Sequence, residues 1–143
     1  MARTATDEAD RTAIDALRDR WVAVVACGDV RALADRVTPD YEVWAHGAPA
    51  LTGPGTVVAA MGAVLTKYSV SQSYEPVETV IAGDWAFQRG IERIRVVPKG
   101  GGAPQETAQR ALLILHRGAD GRWRYARGMT NGLPTTPSDK PAT

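Results

Sequence analysis

The stretch WAFQRGIERIRVV, residues 85–97, decides the fold, because its side chains alternate instead of recurring every third or fourth place. Ala86, Gln88, Gly90 and Glu92 fall on one face, and Trp85, Phe87, Arg89, Ile91, Arg93 and Arg95 on the other, which is the period of a β-strand. The same period runs through Tyr74–Ala82, Gln105–His116 and Arg122–Thr130. The separators AGD, PKGGGAP and RGADG each supply glycine for a reversal, and connections this short predict an antiparallel meander.

Upstream of residue 71 the pattern is helical. Thr6 is placed to cap a first helix with Asp7, Glu8 and Asp10 in its opening turn, and Ile14, Leu17, Trp21, Val24 and Val25 then form one stripe ending at Gly28. Asp29 is placed to cap a short second helix carrying Val30, Leu33, Ala34 and Val37, stopped by Pro39. A strand YEVWAH follows, then GAPALTGPG, whose glycines and prolines predict irregular structure. A third helix is expected over Thr56–Lys67, turning Val57, Met61, Val64, Leu65 and Tyr68 to the core. Helices first and hairpin-linked strands afterwards specify an α+β domain with the helices laid across one face of a curved sheet.

Composition narrows the functional classes. The 143 residues suit one domain, and 44% hydrophobic with 23% charged residues is an ordinary globular balance. A net charge of +1 with both signs intermixed argues against nucleic acid and membrane surfaces as partners. The opening MARTATDEADRT lacks the layout of an export signal, so cytoplasmic residence is expected. Cys27 is the single cysteine, which excludes an internal disulfide, and its apolar neighbours VAVVA predict a buried, inert thiol. Neither a phosphate loop nor a Gly-x-Ser-x-Gly elbow is present, and His46 and His116 without a third ligand in register predict no metal site.

Several stretches carry a family resemblance. DRWVAVVACGD (19–29), PDYEVWAHGAPALTG (39–53), GDWAFQRG (83–90), PKGGGAP (98–104) and HRGADGRWRYARGMTN (116–131) together resemble nuclear transport factor 2-like proteins of the SnoaL-like and ketosteroid isomerase-like branch. The resemblance covers about Asp7 to Asn131. It implies a cone-shaped domain over residues 1–131, with three helices from the amino-terminal half on a curved, mainly antiparallel sheet; the Pro-, Thr- and Ser-rich stretch 132–143 has almost nothing to bury and is expected to be a flexible tail. It also implies a pocket for a small apolar molecule and a homodimer through the outer sheet face. The fold hosts isomerases, dehydratases, cyclases and binding modules alike. Carried over residue by residue, the tyrosine of the isomerases falls at Trp21, the basic aspartate near Ala45 and the second acid near Ala111, and none of the three keeps its chemistry. Relatives place an acid where this chain has Gln88, which implies a pocket stripped of acid.

The residues then name candidates. His46 closes a strand that opens toward the pocket mouth in the resembled fold, and it is either a proton shuttle or a loop-edge histidine. Gln88 and Arg110 are candidate polar contacts, and Trp21, Trp44, Tyr68 and Met129 candidate walls. Arg89, Arg93 and Arg95 interleaved with Glu92 read as a solvated or dimer-facing surface. The expectation is an enzyme needing no cofactor, of isomerase, dehydratase or cyclase type, acting on a polyketide or terpenoid metabolite. The alternative is a non-catalytic module that binds a small molecule or a protein partner.

Overall fold

The computed structural model describes residues 5–134. Helix α1 spans Ala5–Cys27, buries Ile14, Val24 and Val25, and stops at Gly28, whose φ of 81° lets its N–H reach back to the Val24 carbonyl at 3.0 Å. Thr6 lies inside α1, not at its cap. A 3₁₀ helix follows over Val30–Arg36, burying Leu33, and Asp29 precedes it without a side-chain capping bond. Val37, expected on that helix, instead opens strand β1, Val37–Trp44.

Strand β2, Leu51–Thr52, pairs antiparallel with β1, which corrects the irregular structure expected for GAPALTGPG. Helix α2 covers Pro54–Lys67, its proline in the first turn where a missing N–H costs nothing. Tyr68 is not a core residue of that helix but the first of strand β3, Tyr68–Ala82, into which the helix passes without a loop. Strands β4, Trp85–Pro98, β5, Gln105–Arg117, and β6, Trp123–Gly132, complete the meander. The sheet runs β2-β1-β6-β5-β4-β3, with β1 parallel to β6 and the other neighbours antiparallel. It is thus a mixed, curved, unclosed sheet of six strands among the described residues, carrying three helices. Of the tail expected over 132–143, Gly132 still belongs to β6 and residues 135–143 lie outside the described residues. No helix among the described residues is long and apolar enough to cross a membrane.

Two bulges decide which side chains look inward. Pro76 pairs with Gly90 and Glu78 with Arg89, so Val77 is an extra residue in β3. The side-chain parity flips there: Gln72 and Tyr74 face inward before it, and Thr79 and Ile81 after it. In β6, Ala126 is the extra residue between Tyr125, which pairs with Leu115, and Arg127, which pairs with Ile114. Pro76 is tolerated because β3 is an edge strand.

The inner face buries two clusters. One joins Ile14 of α1 to Val37, Tyr41, Leu115, Trp123 and Tyr125, and the other joins Val24, Val25 and Leu33 to Leu65 and Val70. Leu33 and Leu115 are 0% exposed, each contributing about 1.5–3 kcal/mol on burial. Asp10, buried at the start of α1, accepts hydrogen bonds from Arg117 Nη1 at 2.8 Å and Trp123 Nε1 at 3.1 Å. That contact ties the helix to the last two strands.

A β-carbon on Gly90 would stand 2.3 Å from the Glu75 carbonyl oxygen and 2.9 Å from Tyr74 Cζ. Gly90→Ala is therefore expected to cost about 1–3 kcal/mol by overpacking. Gly62 is the opposite case, a helical glycine whose added β-carbon would meet nothing nearer than Val30 Cγ2 at 3.8 Å. Gly62→Ala should gain about 0.5–1 kcal/mol. Urea unfolding of the two variants checks both signs.

Candidate functional site

Between the inner face of the sheet and helices α1 and α2 lies a cavity of about 320 Å³. Its walls are apolar: Trp21 from α1, Met61 and Val64 from α2, and Val43, Leu113 and Tyr125 from the sheet. Its polar groups gather where β3, β4 and β5 run side by side, because Gln72, Glu92 and Gln109 occupy inward positions of three neighbouring strands.

Glu92 is the centre of this group. Gln72 Nε2 donates to its Oε1 at 3.2 Å, and Gln109 Nε2 donates to its Oε2 at 2.9 Å. No basic side chain forms an ion pair with it among the described residues. Burial pushes its carboxyl above the usual glutamate range, and the Gln109 hydrogen bond pulls the other way. Arg18, the one basic residue lining the cavity, is held by Asp15 at 3.0 Å and Asp19 at 3.5 Å.

Three tyrosines surround the carboxylate. Burial, and next the Glu92 charge, push Tyr41 and Tyr74 up to about 12, and burial drives Tyr125 up as well. All three stay protonated at neutral pH. The Tyr74 hydroxyl is buried without a hydrogen-bond partner among the described residues. A carboxyl whose pKa is raised by burial in an apolar chamber, beside hydroxyls that keep their protons, can take a proton from a bound molecule and return it elsewhere.

The structure distributes the sequence-derived candidates widely. Trp21 lines the cavity and meets Tyr125 edge to face at 5.5 Å. Gln88 faces inward but is wholly buried, donating to Thr79 Oγ1 at 2.9 Å, and does not line the cavity. Trp44, Arg110 and Met129 stand on the outer face, because the inward positions of their strands are Val43, Ala111 and Gly128 with Thr130. The lining expected of these three is corrected by a single-residue step in register. Tyr68 is exposed at the start of β3, outside the lining. His46 is exposed beyond the end of β1; its backbone N–H donates to Thr130 Oγ1 at 3.0 Å, and its ring lies toward Gly132, outside the lining. Cys27, expected buried, is exposed at the end of α1. The acid-free pocket is likewise corrected by Glu92. The signal for Glu92 was present in the alternation of residues 85–97, where it shares a face with Gln88, but three neighbouring arginines made it look solvated.

Comparison with known proteins follows the same lines. No functionally curated protein matches the chain. A conserved protein from Planctomyces limnophilus DSM 3776 is similar in structure, with a TM-score of 0.82 and 27% identity over 88% of this chain and 99% of that one. A ketosteroid isomerase-like protein from Erwinia carotovora atroseptica SCRI1043 gives 0.74 and 25% identity over 87% of this chain and 96% of that one. A protein provisionally named as a scytalone dehydratase, from Novosphingobium aromaticivorans DSM 12444, shares the fold at a TM-score of 0.83 with 15% identity, over 94% of this chain and 91% of that one. The model of the SnoaL-like domain matches residues 19–126, and with this fold around this cavity the chain belongs to the SnoaL-like family of the nuclear transport factor 2-like superfamily.

Proposed function

We propose that the protein is an acid–base enzyme of isomerase, dehydratase or cyclase type, acting on a small, largely apolar, oxygenated metabolite, with Glu92 as the group that moves the proton. The observation that carries this reading is a half-buried carboxyl with no basic partner among the described residues, inside an apolar chamber. In the proposed step the Glu92 carboxylate accepts a proton from carbon as that C–H bond breaks. The proton then returns to another carbon, which completes an isomerisation, or goes to a departing hydroxyl, which leaves as water. The Gln72 and Gln109 amides fix the plane of the carboxylate, so little orientation remains to be found when a ligand arrives. The likeness to the ketosteroid isomerase-like protein supports the class of reaction, and the apolar walls support the class of substrate.

A panel of β,γ-unsaturated ketones and β-hydroxyketones of polyketide and terpenoid type, followed by NMR, tests the reading. Turnover by the wild type and a loss of at least about 100-fold in Glu92→Gln is the expected result. Equal turnover in the variant, or binding without turnover across the panel, would overturn it, the latter favouring a binding module. His46→Gln should leave turnover unchanged.

The pH dependence has opposite signs for activity and stability. Turnover needs ionised Glu92 and should rise with pH through a midpoint above the ordinary glutamate value of about 4.3. A carboxyl whose folded value is raised contributes stability below its unfolded value, and that contribution is lost as pH rises through the folded value. Glu92→Gln should therefore gain in melting temperature over the wild type as pH increases above about 4.3, and thermal scans across pH read the difference.

We further propose a two-fold homodimer through the outer sheet face, where Trp44, Leu112 and Met129 are 55%, 40% and 47% exposed. Sedimentation of Leu112→Glu combined with Met129→Glu should give a monomer where the wild type gives a dimer.

A further inference from the structure

We infer that Thr130 is a second anchoring point of the cavity, and that the ligand carries a hydrogen-bond-accepting oxygen at the end remote from the carbon that gives up its proton. The assignment deepens the acid–base reading and rests on it for the identity of the site, but its test reads binding alone.

A hydroxyl offers one proton and two lone pairs. A lone pair of Thr130 Oγ1 receives the His46 main-chain N–H at 3.0 Å. The hydroxyl proton meets no acceptor among the described residues, and Thr130 is half-buried in the cavity wall. The bond from His46 fixes where the oxygen stands and, by polarising it, makes the O–H a stronger donor. A ligand oxygen that accepts this proton completes a chain running from main chain to guest.

The neighbouring side chains leave room for that acceptor. Thr130 pairs with Ala111 on β5, and on its other side Ala45 follows Trp44, the partner of Met129. Two residues before Ala45, Val43 pairs with Leu51 of β2. All four of these residues line the cavity, and their side chains hold no polar atom. None of them competes for the Thr130 proton, and the two alanines stand no taller than a methyl group beside it.

Glu92 stands apart from this patch. It pairs with Gln109, whereas Thr130 pairs with Ala111, so the two lie two strands apart across the sheet and two residues apart along it. Those spacings are about 10 Å and about 7 Å, which sets the α-carbons on the order of 12 Å from each other. The carboxyl and the hydroxyl therefore engage different parts of one guest. A molecule whose reacting carbon lies at Glu92 meets Thr130 with its far end, so the favoured substrates are apolar bodies oxygenated at both ends.

Two probes of one shape test the inference: 6-methoxy-2-tetralone and 6-ethyl-2-tetralone, which share the ketone and differ by an ether oxygen in place of a methylene at the far end. Titration of tryptophan fluorescence, with Trp21 in the cavity wall as reporter, gives the ratio of their affinities. In Thr130→Val the preference for the methoxy probe should fall at least about 5-fold from its wild-type value, the equivalent of one neutral hydrogen bond. Affinity for the ethyl probe should stay unchanged, which also shows that the variant is folded; His46 is exposed, so water takes over its N–H. Thr130→Ser keeps a hydroxyl and should keep the ratio, and His46→Gln keeps the main-chain N–H and should keep it too. An unmoved ratio in Thr130→Val, a ratio lost in His46→Gln, which would hand the ether oxygen to the imidazole, or no binding of either probe by the wild type would overturn the inference. Glu92→Gln should keep the ratio. A failed Glu92 mechanism would then show as unimpaired turnover in that variant, and a failed Thr130 assignment as unimpaired discrimination in Thr130→Val.

Discussion

The interior of this protein depends on one close approach of main chain to main chain, the Glu75 carbonyl against the bare α-carbon of Gly90. Glycine there lets β3 draw in over β4, and two residues beyond Glu75 the extra place at Val77 bends the edge strand. Without that extra place, Tyr74 and Ile81 could not both face inward, since they stand an odd number of residues apart. The first belongs to the cavity and the second packs against the core at the closed end of the cone. Ala126 does the same for β6, where Tyr125 and Thr130 both reach the cavity. Curvature and side-chain parity are therefore one device, and the chamber follows from it.

This device also marks where sequence reading succeeds and where it stops. Alternation in residues 85–97 is unbroken, and β4 was legible there almost to the residue. Alternation in β3 and β6 is broken by bulges that no glycine or proline announces at the extra residue itself, so inward and outward positions could not be assigned beyond them. The passage from α2 into β3 was missed at Tyr68 because nothing between Lys67 and Ser69 breaks a helix; tertiary pairing with Pro98 and Val97 overrides local preference. Trp44 was misplaced by one residue, which on a strand means the opposite face. Cys27 had apolar neighbours but lies on the free side of α1, a distinction that depends on what the helix packs against.

The site was the least legible part, for a physical reason. Inward-facing carboxyls on strands are flanked by whatever the outer face requires, and here that is Arg89, Arg93 and Arg95. Read linearly, Glu92 joins them as one more surface charge. Read by parity, it stands with Gln88, at Cα pairings with Tyr74 and Gln109 that only the register of the sheet reveals, and Gln72 reaches it diagonally from β3. A half-buried carboxyl with no counter-ion among the described residues is a local inconsistency in an otherwise consistent sequence, and such conflicts concentrate where function is carried.

The contact at Asp10 has a mechanical meaning. Arg117, stacked 5.2 Å from the Trp123 ring and bonded to both Asp10 and Asp84, fastens the first half of α1 to the β3–β4 turn, the end of β5 and the start of β6. Toward its other end, α1 presents Trp21, Val24 and Val25 to the sheet and to neighbouring helices through dispersion contacts alone. The helix is thus anchored unequally: parting it from the sheet at Asp10 would break an ionic bond, whereas parting it at Trp21, Val24 and Val25 would separate only apolar surfaces.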